Sequence, residues 1–403
     1  MIKKEKNWTV FFIYLTTFIT AIGYAFVIYI NSSFLGKFID EKYISSLYII
    51  GSIFTLIILS NISHILKKIG HYKMMLGIIT LEALSLLGAG FIDFTINNDG
   101  NTKEITTLYV PILVISSFVI FSVTATLLRF SLDLYLEKYS KDEDTGGTRG
   151  LFLTTINVAI AISPFIVGLL LTNSNYWKIY LLAGIIFIPA IIISAIKLKK
   201  VPDVQYHNVP FTVGFKKLWK NKDLHSIFMS NFLLEFFYSW MVIYTPIYLH
   251  QNMNFSWNDI GIMFSIMLTS FIILQIPLGK IADKYLGEKE ILTAGFVIAG
   301  ISTMYLSFIE TADFITWTAL LFTTRVGAAA IEIMNETYLF KKVSPKDSDI
   351  IGFFRNASPL AYIIAPVLAI ILLNFIDLKN IFIVLGLIML CGAKYSLSIK
   401  DTL

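Results

Sequence analysis

Cysteine is nearly absent from this sequence. Cys391 is the only one in 403 residues, which excludes an intrachain disulfide and a cysteine-based metal site. Its expected role is that of a small buried apolar residue. Histidine is scarce as well: His64, His71, His207, His225 and His250 fall in predicted loops or at helix ends, so no metal-ligand cluster is expected. Charge is thin, at 15% of residues against about 25% in a soluble domain. No glycine-rich phosphate loop of the Walker type occurs, which argues against ATP-driven pumping. No paired nucleophile and base lies at membrane depth, so the machinery of a membrane-embedded enzyme is missing and no cofactor is expected.

What the chain has instead is apolar length. It is 56% hydrophobic, with a mean hydropathy of +0.73. Trp8 to Ile30 runs without a charge, longer than the about 7–15 residues of a signal-peptide core and close to the about 20 that cross a bilayer. No small-residue cleavage site follows, so it reads as a retained helix one. Further helices are predicted at Ile44–Ile65, Tyr72–Ile92, Thr107–Leu128, Leu151–Thr172 and Trp177–Ile196. After a polar stretch come Ser226–Leu249, Trp257–Leu278, Ile291–Ile309, Phe314–Leu339, Ile350–Asn374 and Ile381–Leu397. The fold class is thus all-α, a membrane protein of twelve transmembrane helices. Most of the ten prolines lie inside these runs, where neighbouring groups can satisfy the freed carbonyls.

Lys and Arg set the orientation. With the amino terminus inside, the outer connections hold only Lys37, Lys42, Lys103, Lys178 and Lys379, and nearly all the rest fall inside. Both termini are therefore expected in the cytoplasm, and the net charge of +5 needs no nucleic-acid partner. The longest inner connection divides the chain into a first bundle at 1–197, a linker at 198–224 and a second bundle at 225–403. Phe211, Phe215, Leu218 and Trp219 recur in the linker at helical spacing among lysines, the pattern of a helix lying on the membrane surface.

The stretch Gly279-Lys280-Ile281-Ala282-Asp283-Lys284-Tyr285-Leu286-Gly287 reads as a short charged loop between helices eight and nine. It resembles the signature loop of the major facilitator superfamily, with Gly279, Asp283 and Lys284 in register, Gly287 one residue late, and Glu288 and Glu290 where basic residues are usual. Ser63 to Gly70 occupies the matching place in the first half, with Lys67 where Asp283 stands. Pro164 and Pro366 fall at corresponding depths of helices five and eleven. A weak repeat across two six-helix halves marks transporter folds. The resemblance implies two pseudo-symmetric six-helix bundles, and a central cavity lined by helices one, four, seven and ten. It also implies a gating role for Gly279, Asp283, Lys284 and Gly287. Asp283 is expected beside the start of helix five, near Thr148 to Leu151.

Ionisable groups at membrane depth are functional candidates because each costs about 2.5 kcal/mol or more. Glu235 on helix seven and Arg325 on helix ten fall near mid-membrane and are the leading pair. Thr20 and Tyr24 on helix one, with Tyr238 and Ser239 on helix seven, are candidates to line the substrate and proton cavity; ordinary helix packing explains them equally. Arg325, Glu332 and Glu336 fall at i, i+7 and i+11, on one face of helix ten. Glu332 is expected to form a structural charge pair with Arg355. Glu82 on helix three is expected to be a packing residue. The function expected is secondary active transport of a small solute by alternating access with proton coupling. The expected form is a monomer in the plasma (inner) membrane, with protons, a small-molecule substrate and the lipid bilayer as partners. A drug/proton efflux antiporter stays open, since helix five keeps Pro164 and Gly168 of an antiporter pattern but has Ser163 and Val167 for glycine. A non-transporting receptor or scaffold on the same fold also stays open.

Overall fold

The computed structural model describes residues 2–98, 106–139, 145–171, 175–199, 216, 218–342 and 353–400. Among these residues twelve helices are long and apolar enough to cross a membrane, and there is no strand. Their ranges are Ile2–Ile28, Glu41–Ser60, His71–Asn98, Thr106–Tyr139, Thr145–Leu170 and Tyr176–Ile193 for helices one to six. Helices seven to twelve are Lys222–Ile247, Trp257–Ile281, Gly287–Leu306, Phe314–Lys342, Ala357–Leu372 and Ile381–Ser398. Single π-helical turns extend helices six, seven and eight at Ser194–Leu198, Tyr248–Asn252 and Ala282–Leu286. Two short helices, Asn31–Gly36 and Ile62–Ile69, follow helices one and two.

The chain divides into two compact units, Met1–Asn208 and Val209–Leu403. In the first, helix one packs on helices four, five and six, helix two on four, and helix three on four and six. In the second, helix seven packs on ten, eleven and twelve, helix eight on ten, and helix nine on ten and twelve. Adding six to each number of the first set gives the second, so the repeat that the sequence shows only faintly is plain in these packing pairs. Helices nine and twelve meet at glycine. A Cβ on Gly386 would stand 2.5 Å from the Gly300 carbonyl oxygen, too close for any other residue without moving a backbone.

Gly70 and Gly287 are the two glycines of positive φ among the described residues, at φ 84° and 74°. Their ψ values are 147° and 177°, a region open in practice to glycine alone. Each stands where the chain turns into helix three or helix nine, so the two units use one device at one place. The segment before Gly287 differs from expectation. Gly279, Lys280 and Ile281 complete helix eight, and 282–286 form a π turn, so this is a helical extension closed by Gly287 rather than a loop bracketed by two glycines. Gly279 makes no turn.

In the linker, Lys216 and Leu218–Lys220 are helical, Leu218 is buried, and Trp219 sits edge-on to His225 with ring centroids 4.6 Å apart. Phe211 and Phe215 lie outside the described residues. Cys391, expected to be buried, is exposed on helix twelve.

Candidate functional site

The second unit gathers most of the candidate residues. Asn221 caps helix seven by accepting the Asp223 and Leu224 backbone N–H groups. Farther along the helix, Glu235 accepts a hydrogen bond on Oε2 from the Ser358 hydroxyl of helix eleven at 2.8 Å. Trp240, five residues on, donates its indole N–H to the Ala365 carbonyl at 2.7 Å, a second tie of helix seven to helix eleven. Arg325 is fully buried on helix ten, and its guanidinium carbon lies 4.9 Å from the centre of the Phe237 ring. That cation–π contact offsets part of the cost of a buried cation.

Helix ten carries a polar line toward its carboxyl end. Asn335 accepts from the Ser230 hydroxyl of helix seven at 2.7 Å. Gln275 of helix eight donates to Glu332 at 3.1 Å. Arg355 forks onto Glu336, with Nη1 to Oε1 at 2.6 Å and Nη2 to Oε2 at 3.2 Å. The two-pronged contact of Arg355 is thus with Glu336, one turn beyond the Glu332 that was expected to pair with it. One turn separates the two carboxylates on the same helix face, and spacing alone does not choose between them. A bidentate Arg–carboxylate pair is strong and geometrically fixed, which makes Glu336–Arg355 a structural tie. At the amino end of helix nine, Glu288 is fully buried and accepts from the Lys341 ammonium at 2.7 Å.

Tyr238 is half-buried, its ring 6.3 Å from Phe271, and Ser239 is fully buried. Tyr24 and Thr20 belong to the first unit. Tyr24 stacks on Phe121 with centroids 5.9 Å apart. The Thr20 hydroxyl donates back to the Thr16 and Thr17 carbonyls at 2.9 and 3.2 Å, the local bonding that threonine makes within a helix. Of the signature segment, Gly279 and Gly287 are placed as above, while the Asp283 and Lys284 side chains lie outside the described residues, as do those of 145–150. The expected contact of Asp283 with helix five therefore falls outside them too.

Sequence reasoning missed Ser358, Gln275 and Ser230, which are ordinary polar residues with no motif around them. It also missed Glu288, whose position after a turning glycine was visible but whose burial was not. No group of three His, Cys, Asp or Glu residues among the described residues could hold a metal ion.

The profile of the Major Facilitator Superfamily matches residues 10–347 and, in a second match, 245–397. The chain belongs to the Major Facilitator Superfamily. A solved structure titled as the nucleoside transporter NupG, a point mutant, is similar over 96% of this chain and 98% of that one, with a TM-score of 0.73 and 12% identity. At that identity the likeness is one of fold. No curated protein matches the sequence. As a superfamily member with twelve spanning helices the chain is an integral, multi-pass membrane protein and a secondary transporter rather than an enzyme, and a small molecule is its substrate.

Proposed function

We propose that this transporter couples solute movement to protons, and that Glu235 is the group that takes up and releases the coupling proton. The observation that supports it is the partner. Ser358 offers a hydroxyl, which donates to an ionised carboxylate and can accept from a protonated one. The bond therefore survives a change of protonation, whereas Glu336 is forked by the Arg355 guanidinium, which can only donate. The same helix-seven segment brings Arg325 over Phe237, a fixed cation for an anionic group of the substrate. Tyr24, Thr20, Tyr238 and Ser239 are proposed as further lining. Gly279, Asp283, Lys284 and Gly287 are proposed as the gate that closes the inner side in an alternating-access cycle. The protein is proposed to act as a monomer in the plasma (inner) membrane with both termini cytoplasmic.

A thermal-shift screen of purified protein against solutes, nucleosides included, identifies the substrate, because a ligand of the native state raises its stability. Flux of that solute into proteoliposomes is then measured with and without a pH gradient. Accumulation driven by the gradient supports the reading. Flux indifferent to the gradient rejects proton coupling, and binding with no flux at all favours a receptor on a transporter fold.

A further inference from the structure

Helix three carries a polar stripe that the second unit's site does not use. Glu82, Ser85, Ala89, Asp93 and Asn97 fall at i, i+3, i+7, i+11 and i+15, which is one face of a helix with 3.6 residues per turn. At one end of the stripe Asp93 is fully buried. Its Oδ1 accepts from the Lys37 ammonium at 2.5 Å and its Oδ2 from the Trp177 backbone N–H at 2.8 Å. Lys37 also donates to Asn97 at 2.9 Å, and its partly exposed side chain brings this end to the surface opposite the amino terminus.

Beside the turns of helix three that separate Glu82 from Asp93 lies a cavity with about 10 Å³ of room for a water centre, lined by Ser85, Asn31, Ser117 and Tyr180 among apolar neighbours. That is space for roughly one water molecule, and four polar side chains in an otherwise apolar wall are the partners it would have. Tyr180 donates to Asn31 at 2.6 Å, and Ser85 donates to the Glu82 carbonyl at 2.8 Å, which leaves the serine oxygen able to accept.

Glu82 itself is 1% exposed, and its Oε2 makes no hydrogen bond among the described residues. An ionised carboxylate at such depth is costly. Among the described residues no charged group lies near it. Helix four has no ionisable residue between Tyr109 and Arg129, and helix six none between Tyr180 and Lys197. On helix three the nearest are Lys73 and Asp93, each more than two turns away, with His71 and Tyr72 beyond Lys73. The short helix Ile62–Ile69 brings Lys67 and Lys68 only to the opposite end. Tyr24 and Tyr48 approach the stripe through the Phe121 and Phe118 rings.

We propose that Glu82 is a proton-binding site of the first unit, filled from the Lys37–Asp93 end through the water-sized cavity beside Ser85. A proton carried as hydronium by way of this cavity is taken up by the carboxylate, forming its O–H bond and leaving neutral water; release reverses the step. The site lies wholly within the first unit and stands apart from the role given to Glu235.

Infrared difference spectroscopy of the full chain in lipid nanodiscs tests it without a substrate. The wild type is expected to show the carbonyl stretch of a protonated acid that fades as pH rises and shifts in D₂O. In Glu82→Gln that component is lost, and in Glu82→Asp it moves in frequency. Tyr180→Phe is expected to slow its deuterium exchange. Superimposable titrations of wild type and Glu82→Gln overturn the proposal. So does a component lost in Glu82→Gln that never titrates in the wild type, because it is then a permanently protonated structural acid. Exchange at the wild-type rate in Tyr180→Phe overturns the route.

Discussion

His71 opens helix three and Glu288 is the second residue of helix nine, each directly after a glycine of positive φ, each buried, and each closing onto the helix that follows its own. The chemistry of the two closures differs. His71 stacks on Tyr135 of helix four with centroids 4.0 Å apart, and its Nε2 lies 3.1 Å from the Ser131 carbonyl oxygen. Glu288 instead takes the Lys341 ammonium of helix ten. The fold requires a contact at this corner and does not dictate its kind. An aromatic stack tolerates loss of a single hydrogen bond, whereas a fully buried carboxylate depends on its cation.

That contrast orders the expected effects. Lys341→Ala leaves the Glu288 charge buried without its partner, and the loss is expected to be about 3 kcal/mol, the low end for breaking a buried pair because Lys341 is itself 34% exposed. His71→Phe keeps the stack and gives up one hydrogen bond, about 1 kcal/mol. Apparent melting temperatures of the two variants compare the closures directly, and equal shifts would erase the distinction. Next come the glycines. Gly70→Ala and Gly287→Ala each force a side chain into a glycine-only region, at roughly 1–3 kcal/mol. Similar losses are expected from both if the two corners are one device, and a loss at only one breaks the equivalence.

The smallest effect concerns the surface caps of the two units. In the first, Asp40 at the start of helix two is held below the usual carboxylate range by the Lys42 side chain and then its backbone N–H. In the second, Asp313 before helix ten is held down by the Thr316 side chain and then by its backbone N–H. A lowered folded-state pKa means the contribution is present above the unfolded value and lost as pH falls through the folded one. Acidification from pH 7 is therefore expected to lower the melting temperature less in Asp313→Asn than in the wild type. An identical decline in both would mean that the cap contributes nothing.

The membrane spans were legible because a bilayer demands long uncharged runs, and the predicted and observed helices agree to within a few residues at most ends. Packing order was barely legible, since Pro164 and Pro366 mark matching depths but nothing in the sequence says that helix three lies on helix six. The charged segment after helix eight was misread as a loop because Gly279 resembles a turn residue, yet the helix runs past it and only Gly287 turns. Partners of buried charges were the least legible. Lys37 meets Asp93 across 56 residues of sequence, and Arg355 forks onto Glu336, one turn beyond the expected Glu332. Burial, which decides whether such a charge matters, is a property of neighbours that no local pattern records.

In the second unit Glu235 takes the Ser358 hydroxyl, whereas Glu288 and Glu336 take the Lys341 ammonium and the Arg355 guanidinium, and the role proposed for Glu235 rests on that difference. The direct measurement is solute flux in proteoliposomes containing Glu235→Gln, recorded both as uptake driven by a pH gradient and as exchange at equal pH. Loss of gradient-driven accumulation with exchange retained is the predicted result. Accumulation at the wild-type rate would contradict the assignment.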